Sequence, residues 1–100
     1  MITYTVTVDK DATRWYLNGQ YHRTDGPAIE WKDGYKAWFL NGKRHRIDGP
    51  AIETANGRKE WFLNGKHMGE AEHFRAVNPV KELTVAEIEA LLGYSVKIVK

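Results

Sequence analysis

Residues 38–53 read WFLNGKRHRIDGPAIE, and residues 15–30 read WYLNGQYHRTDGPAIE. The full repeating unit is 23 residues long, from Trp15 to Ala37 and again from Trp38 to Glu60, and the two units agree at 14 of 23 positions. A third unit begins as WFLNG at Trp61 and then diverges. A short repeat of this kind indicates stacked supersecondary units, each of which is too small to bury its own apolar face.

Alternating apolar and polar residues inside the units predict antiparallel strands. Asp33-Gly34 and Asn56-Gly57 predict tight turns, because both dipeptides readily adopt positive φ. We interpret residues 18–27 and 41–50 as long loops along the opposite edge. Side-chain alternation predicts Trp15, Trp38 and Trp61 on one face, with Tyr16, Phe39 and Phe62 on the other. The expected fold is mainly β with α, an antiparallel meander of about six strands at residues 1–8, 13–17, 28–31, 35–40, 51–54 and 59–63.

The repeat stops near residue 70, and the remaining chain predicts a helical cap over one sheet face. Residues 70–77 are typical of a short helix, which Asn78-Pro79 ends. Thr84-Val85-Ala86-Glu87 is a capping box, with Leu83 and Ile88 at the staple positions, and Gly93 suits a left-handed helix end. Residues 94–99 predict a last strand. We therefore expect residues 1–69 to form the repeat sheet and residues 70–100 a cap of one or two helices and a final strand, in one compact domain.

Composition limits the class of protein. One hundred residues, 42% of them hydrophobic and 28% charged, are ordinary for a single globular domain. The net charge of +2 is too small to favour nucleic acid as a partner. The absence of cysteine excludes disulfides and fits a cytoplasmic location. We expect no signal peptide and no membrane span, because the beginning of the sequence lacks a basic region with a long apolar core and no stretch approaches 18 apolar residues.

The segment YKAWFLNGKRHR, residues 35–46, resembles the MORN repeat, whose period is similar. Tyr35, Asn41-Gly42 and His45 match that pattern, whereas Phe39 and Arg46 depart from it. The His-Arg-x-Asp-Gly-Pro-Ala form is similar to a variant found in tandem-repeat proteins of bacteriophages and large viruses. The resemblance covers roughly residues 12–66. It implies a β-repeat scaffold that binds other molecules and, by similarity to the phage proteins, action in the cytoplasm of a host cell.

The recurring His-Arg-x-Asp segments lie in the predicted loops and carry the first candidate site residues, His22, Arg23, His45 and Arg46. One hypothesis is that the two arginines grip a carboxylate or a phosphate. The alternative is structural: Asp25 and Asp48 cap their own turns while each arginine pairs with an aspartate of the neighbouring loop. Recurrence favours the structural alternative, because a feature needed to build each unit appears in each unit.

Positions that differ between the units supply the remaining candidates. Tyr21 and Trp31 stand where the second unit has Arg44 and Thr54. Tyrosine, tryptophan and arginine are enriched in protein interfaces, so these positions predict a contact surface. The alternative is that the aromatic rings cover the helix or the first strand. The predicted binding residues are therefore Tyr21, His22, Arg23, Trp31, Arg44, His45 and Arg46.

Metal and catalytic motifs have little support in this sequence. His22 and His45 lack a third ligand, because Met68 occupies the equivalent position of the third unit, and the spacing of His67 and His73 fits no zinc motif. Glu30 and Glu53 fit outward positions on strands better than a carboxylate pair of a glycosidase. No nucleophile or phosphate-loop motif is present. We expect a protein that is not an enzyme, with no cofactor and no bound metal.

The leading hypothesis is a non-enzymatic binding module, a small phage protein that binds or inhibits a host protein through its loop edge. Two alternatives stay open. One is a sponge for a nucleotide or another small anion, which would use the same arginines. The other is a homo-oligomer that assembles through the C-terminal strand.

Overall fold

The computed structural model of the protein describes residues 2–79 and 84–93. The chain forms a mainly antiparallel β-structure with two short helices. The described residues contain ten short strands rather than about six. These strands are β1 (Thr5–Val8), β2 (Ala12–Leu17), β3 (Gln20–Tyr21), β4 (Ile29–Trp31), β5 (Lys36–Ala37), β6 (Phe39–Leu40), β7 (Lys43–Arg44), β8 (Ile52–Glu53), β9 (Lys59–Leu63) and β10 (Lys66–Met68).

Three of the extra strands, β3, β7 and β10, come from the Asn-Gly dipeptides, which form tight hairpin turns rather than the beginnings of long loops. The fourth arises because the strand predicted at residues 35–40 is interrupted at Trp38 and becomes β5 and β6. Leu17 pairs with Gln20, so only Asn18-Gly19 connects β2 to β3. Asn18 and Gly19 have φ values of 53° and 77°, and Asn41-Gly42 and Asn64-Gly65 repeat this geometry. Positive φ at both central residues is the mark of a type I′ turn, which matches the twist of the flanking strands. The long-loop prediction was therefore wrong for the first residues of each segment.

The strands follow the order β1-β2-β4-β5-β8-β9-β10 in the main sheet, with β3 also paired to β2 and with β6 and β7 forming a separate hairpin. β1 lies at one edge, and β10 lies at the other. The predicted turns at Asp33-Gly34 and Asn56-Gly57 are confirmed: Trp31 N–H donates to the Tyr35 carbonyl, and Thr54 N–H donates to the Arg58 carbonyl. The strand predicted at residues 59–63 is confirmed as β9.

Small residues form the buried core of the sheet. No large side chain is fully buried among the described residues, and Trp31 is 37% exposed. The tryptophans of the repeat, Trp15, Trp38 and Trp61, are half-buried. The chain therefore gains less apolar burial per tryptophan than a two-layer core would give. Among the described residues, the buried core includes four alanines together with two larger residues: Ala12, Ala28, Ala37, Ala51, Ile52 and Met68.

Two helices follow the strands. α1 (Glu70–Val77) confirms the predicted bounds and packs against β9. α2 (Val85–Leu92) begins with the predicted capping box, in which Thr84 accepts from Glu87 N–H, and ends at Gly93 in the left-handed conformation. Val85 and Leu92 of this helix are exposed. The staple residue Leu83 and the strand predicted at 94–99 lie outside the described residues.

Neither of the two helices has the length and the apolar character needed to cross a membrane, within the part of the chain that the structure describes.

Candidate functional site

Arg23 forms the first of two equivalent structural contacts in the repeat. Its Cζ atom lies 4.0 Å from the ring centroid of Trp15 in the same unit. Its Nε donates to Asp25 Oδ1 over 2.8 Å, and its Nη1 donates to the carbonyl of Pro27 over 3.3 Å. The hydrogen bond from Arg23 and the positive charge of the guanidinium lower the pKa of Asp25. The guanidinium therefore joins the tryptophan ring to the Asp-Gly-Pro turn.

Arg46 repeats the arrangement in the second unit. Its Cζ lies 3.9 Å from the ring centroid of Trp38, and its Nε donates to Asp48 Oδ1 over 2.9 Å. Its Nη1 donates to the Pro50 carbonyl over 3.1 Å and contacts Glu53 at 3.3 Å. The hydrogen bond from Arg46 lowers the pKa of Asp48. Each arginine pairs with the aspartate of its own loop, so the predicted pairing with the neighbouring loop was wrong.

The glycine of each Asp-Gly-Pro turn makes room for the guanidinium. A Cβ atom on Gly49 would lie 2.9 Å from Arg46 Cζ, and one on Gly26 would lie 3.0 Å from Arg23 Cζ. These separations are shorter than carbon–carbon van der Waals contact. Each guanidinium is thus sandwiched between a tryptophan ring and a glycine backbone. We call this arrangement the arginine clip: an arginine, its tryptophan and the Asp-Gly-Pro turn of the same unit.

The histidines of the repeat join one unit to the next. Asn41 N–H donates to Nδ1 of His22 over 2.9 Å, and Asn64 N–H donates to Nδ1 of His45 over the same distance. This bond requires an unprotonated Nδ1. The third-unit equivalent of His45 is Met68, which is buried. His22 and His45 therefore hold the Asn-Gly turn of the following hairpin.

The face opposite the repeat tryptophans carries a continuous row of side chains. Its members are the residue that directly follows each repeat tryptophan and the residue six positions after that tryptophan. The two-residue turns explain this placement, because they put these positions opposite each other, as in the pairing of Phe39 with Arg44. We call this surface the aromatic–cation row, and it consists of Tyr16, Tyr21, Phe39, Arg44, Phe62 and His67.

The first half of the row consists of neighbouring aromatic rings. The ring centroids of Tyr16 and Tyr21 are 5.0 Å apart with an interplanar angle of 25°, and those of Tyr21 and Phe39 are 5.3 Å apart. The hydrogen bond with the Tyr16 hydroxyl, followed by burial, raises the pKa of Tyr21. The Tyr21 and Phe39 rings, tilted by 43°, therefore carry the row from the first unit into the second.

The second half of the row combines a cation with aromatic rings. Arg44 Cζ lies 5.6 Å from the ring centroids of both Phe39 and Phe62. The Phe62 and His67 centroids are 4.9 Å apart. Both distances to Arg44 are within the range of cation–π attraction. The row thus spans all three hairpins, and Arg44 and His67 are exposed within it.

Trp31 and Arg14 flank the row at the first unit. Arg14 Cζ lies 5.2 Å from the centroid of the Trp31 ring. The pairing of Ala12 with Trp31 places that ring on the sheet face shared by Arg14 and Tyr16. Trp31 therefore extends the same surface.

The structure separates the seven predicted binding residues into two groups. His22, Arg23, His45 and Arg46 make the contacts within and between units described above. Tyr21, Trp31 and Arg44 belong to the opposite face, on or beside the aromatic–cation row.

The sequence-based site did not include Tyr16, Phe39, Phe62 and His67 of this row. The Asn-Gly dipeptides could have identified these residues, because a two-residue turn sets which residues of a hairpin lie opposite each other.

A groove of about 440 Å³ lies between the two Asp-Gly-Pro loops, and its lining includes Arg23, Asp25, Trp38 and Arg46. The two arginines in its wall already donate to aspartates and to proline carbonyls. Over residues 2–79 and 84–93, no group of three or more His, Asp or Glu side chains is placed to hold a metal ion. Comparison with protein-family models, with curated proteins and with solved structures finds no match to this chain.

Proposed function

We propose that this protein is a non-enzymatic module that binds another protein through the aromatic–cation row. The proposal rests chiefly on one observation: six side chains from three hairpins form one connected row opposite the repeat tryptophans. Tyrosine and arginine are the residue types that contribute most to protein interfaces, and stacked rings are already held in place before binding. A partner therefore meets a surface whose side chains lose little conformational entropy.

The differences between the units support a binding role for the row. The clip residues recur, as Arg23 and Arg46 do. In contrast, the position six residues after each repeat tryptophan is Tyr21, Arg44 and His67 in turn. Because each hairpin forms with any of these residues, the repeat does not require a particular one. Variation on a fixed scaffold is what a specific contact surface needs.

The row replaces the loop edge as the proposed contact surface. The Arg23 and Arg46 side chains are only 22% and 20% exposed, and their donors face carboxylates and carbonyls of their own loops. A nucleotide or other small anion that used these arginines would have to displace Asp25 and Asp48. Sequestration of a nucleotide or another small anion is therefore a weaker hypothesis than protein binding through the aromatic–cation row.

The resemblance to phage repeat proteins extends the proposal to the nature of the partner. It implies a host protein that a phage-encoded chain meets in the host cytoplasm. The exposed cation Arg44 adds that the contacting surface of that partner carries carboxylates or aromatic rings.

Neighbouring residues of one hairpin give a matched test. Arg44 lies on the row, whereas Lys43 is adjacent, also exposed, and points to the other face. We would capture partners from the host cell with the original protein, with Arg44→Glu and with Lys43→Glu, and then measure the affinity of each purified partner. Arg44→Glu should weaken binding by a factor of about 30 or more, the size of an interface hot spot, and Lys43→Glu by less than about threefold. Equal effects of the two substitutions, or none, would refute binding through the row.

A further inference from the structure

We propose that strand β1 pairs with β1 of a second copy of this chain, so that two sheets join into one. β1 is the outermost strand of the main sheet, and within the described residues it pairs only with β2. All four of its residues, Thr5–Val8, are exposed. This inference is independent of the partner bound by the aromatic–cation row.

The hydrogen bonds of β2 show which backbone groups of β1 are free to pair. Val6 lies opposite Trp15. Trp15 N–H donates to the Ala28 carbonyl over 2.7 Å, and the Trp15 carbonyl accepts from His22 N–H over 3.1 Å. Both partners lie on the side of β2 away from β1. Since Trp15 uses both groups there, Val6 is at a non-hydrogen-bonded position, and its N–H and carbonyl point outward.

The far end of the same strand pair gives the same alternation. Asp9 N–H donates to the Ala12 carbonyl over 3.0 Å, so that pair is hydrogen-bonded. Hydrogen-bonded positions recur every second residue in an antiparallel pair, which places Thr7 and Thr5 inward and Val8 outward. Val6 and Val8 thus present two N–H groups and two carbonyls along the outer edge.

This edge lacks the features that keep sheet edges apart. Residues 2–8 read ITYTVTV, with no charge, proline or glycine. Val6 and Val8 are 43% and 74% exposed. Natural edge strands avoid such stretches unless another strand pairs with them. The composition therefore favours a strand as the partner of β1.

The other edge of the sheet, at β10, explains why β1 pairs with β1 of a second copy and why the assembly stops at two copies. β10 carries the exposed residue Lys66. A lysine on an edge strand is a common means of protecting that edge. With one open and one protected edge, β1 joins to β1, and the two-fold symmetric contact ends the assembly at a dimer.

A register with Val6 opposite Val6 of the second copy uses the outward groups of both chains. The two-fold axis then runs perpendicular to the joined sheet. Both copies consequently show the same face to the same side, and the two aromatic–cation rows lie on one surface. A partner with two equivalent sites would meet both rows at once, which raises its apparent affinity.

Two substitutions at Val6 test the proposal. Proline lacks an N–H, and because this N–H points outward, Val6→Pro leaves the β1–β2 hydrogen bonds in place. Val6→Thr keeps the N–H and the β-branched shape. From the chain mass of 11.5 kDa, we expect sedimentation equilibrium to give about 23 kDa for the original protein and for Val6→Thr. Val6→Pro should raise the dimer dissociation constant at least tenfold.

Hydrogen exchange of the original protein gives a second measurement that needs no variant. The amides of Val6 and Val8 should become more protected as protein concentration rises, whereas the Thr7 amide should be protected at every concentration. A monomer at millimolar concentration, or Val6 and Val8 exchange that does not depend on concentration, would overturn the proposal. Deletion of residues 94–100 should leave the dimer intact, and its loss in that variant would assign the contact to the C-terminal segment instead.

Discussion

The sandwich of Arg46 between Trp38 and Gly49 makes a quantitative prediction about stability. Gly49→Ala would place a methyl carbon 2.9 Å from Arg46 Cζ and 3.1 Å from Nε and Nη1. Gly49 does not have a positive φ, so alanine introduces no backbone strain. The free-energy cost therefore comes from moving the guanidinium. We expect a loss of about 2 kcal/mol, as for other insertions into close-packed sites.

Removal of the arginine itself should cost more. The cation–π contact with Trp38 at 3.9 Å is worth about 1 kcal/mol. The charged hydrogen bond to the Pro50 carbonyl contributes about 1.5 kcal/mol. The bond to Asp48, whose side chain is 78% exposed, contributes roughly 0.5 kcal/mol. We therefore expect Arg46→Ala to destabilise the protein by about 3 kcal/mol.

The two substitutions should not add. Once the guanidinium is gone, the methyl group of Gly49→Ala meets no obstacle. The double variant should therefore lose about 3 kcal/mol rather than the sum of about 5 kcal/mol, a coupling of about 2 kcal/mol. Urea unfolding followed by tryptophan fluorescence gives the free energy of unfolding of the original protein, the two single variants and the double variant. The pair Arg23 and Gly26 gives an independent repeat.

Additive losses within about 0.5 kcal/mol would show that the guanidinium does not fill the space above Gly49. Arg44→Ala is the matched control, because Arg44 is exposed and its guanidinium lies 5.6 Å from the ring centroids of Phe39 and Phe62 instead of within a clip. It should cost less than about 1 kcal/mol. A loss as large as that of Arg46→Ala would also contradict the reasoning.

Three further predictions concern other contacts of the fold. His45→Ala should destabilise by about 1 kcal/mol because Asn64 N–H loses its acceptor, and His67→Ala, at an exposed position, by less than about 0.5 kcal/mol in the same urea assay. Asn41→Ala should cost about 1 kcal/mol at a φ of 52°, whereas Asn41→Gly should be nearly neutral by thermal unfolding. Hydrogen bonds from the backbone N–H groups of residues 11 and 12, together with one from Arg14, lower the pKa of Asp9 from 3.8 to about 2. Because the unfolded state binds the proton more tightly, this stabilisation is complete above the unfolded pKa and is lost as pH falls through about 2. The urea midpoint should fall less steeply for Asp9→Asn between about pH 5 and pH 2, and equal slopes would contradict it.

The sequence was sufficient to predict features that depend on local chemistry. The helix at Glu70–Val77, the capping box at Thr84 and the turn at Asp33-Gly34 all follow from a few adjacent residues. The mainly β class followed from alternation along the strands. These predictions were confirmed because each depends on residues that are close together in the sequence.

The placement of the candidate site depended on one misread turn. Asn18-Gly19 was interpreted as the beginning of a loop, although the same physical reasoning that made Asp33-Gly34 tight applies to it. A two-residue turn fixes the register, and the register decides that Tyr21 stacks on Tyr16. The arginine clip was beyond sequence reasoning for another reason. Trp15 is 10 to 12 residues from the Asp25-Gly26-Pro27 turn in the chain, and only the folded sheet brings the ring and the turn together.

The histidine contacts between units have a consequence for the order in which the chain folds. Asn41 bonds to His22 and Asn64 to His45, each across a separation of 19 residues. The loop closed when one unit docks on its neighbour is therefore the same size at every step, and so is its entropic cost. A chain lengthened by another copy of residues 38–60 would extend the sheet without longer-range contacts. Its folding would propagate from unit to unit, and contact order would not limit its rate as length grows.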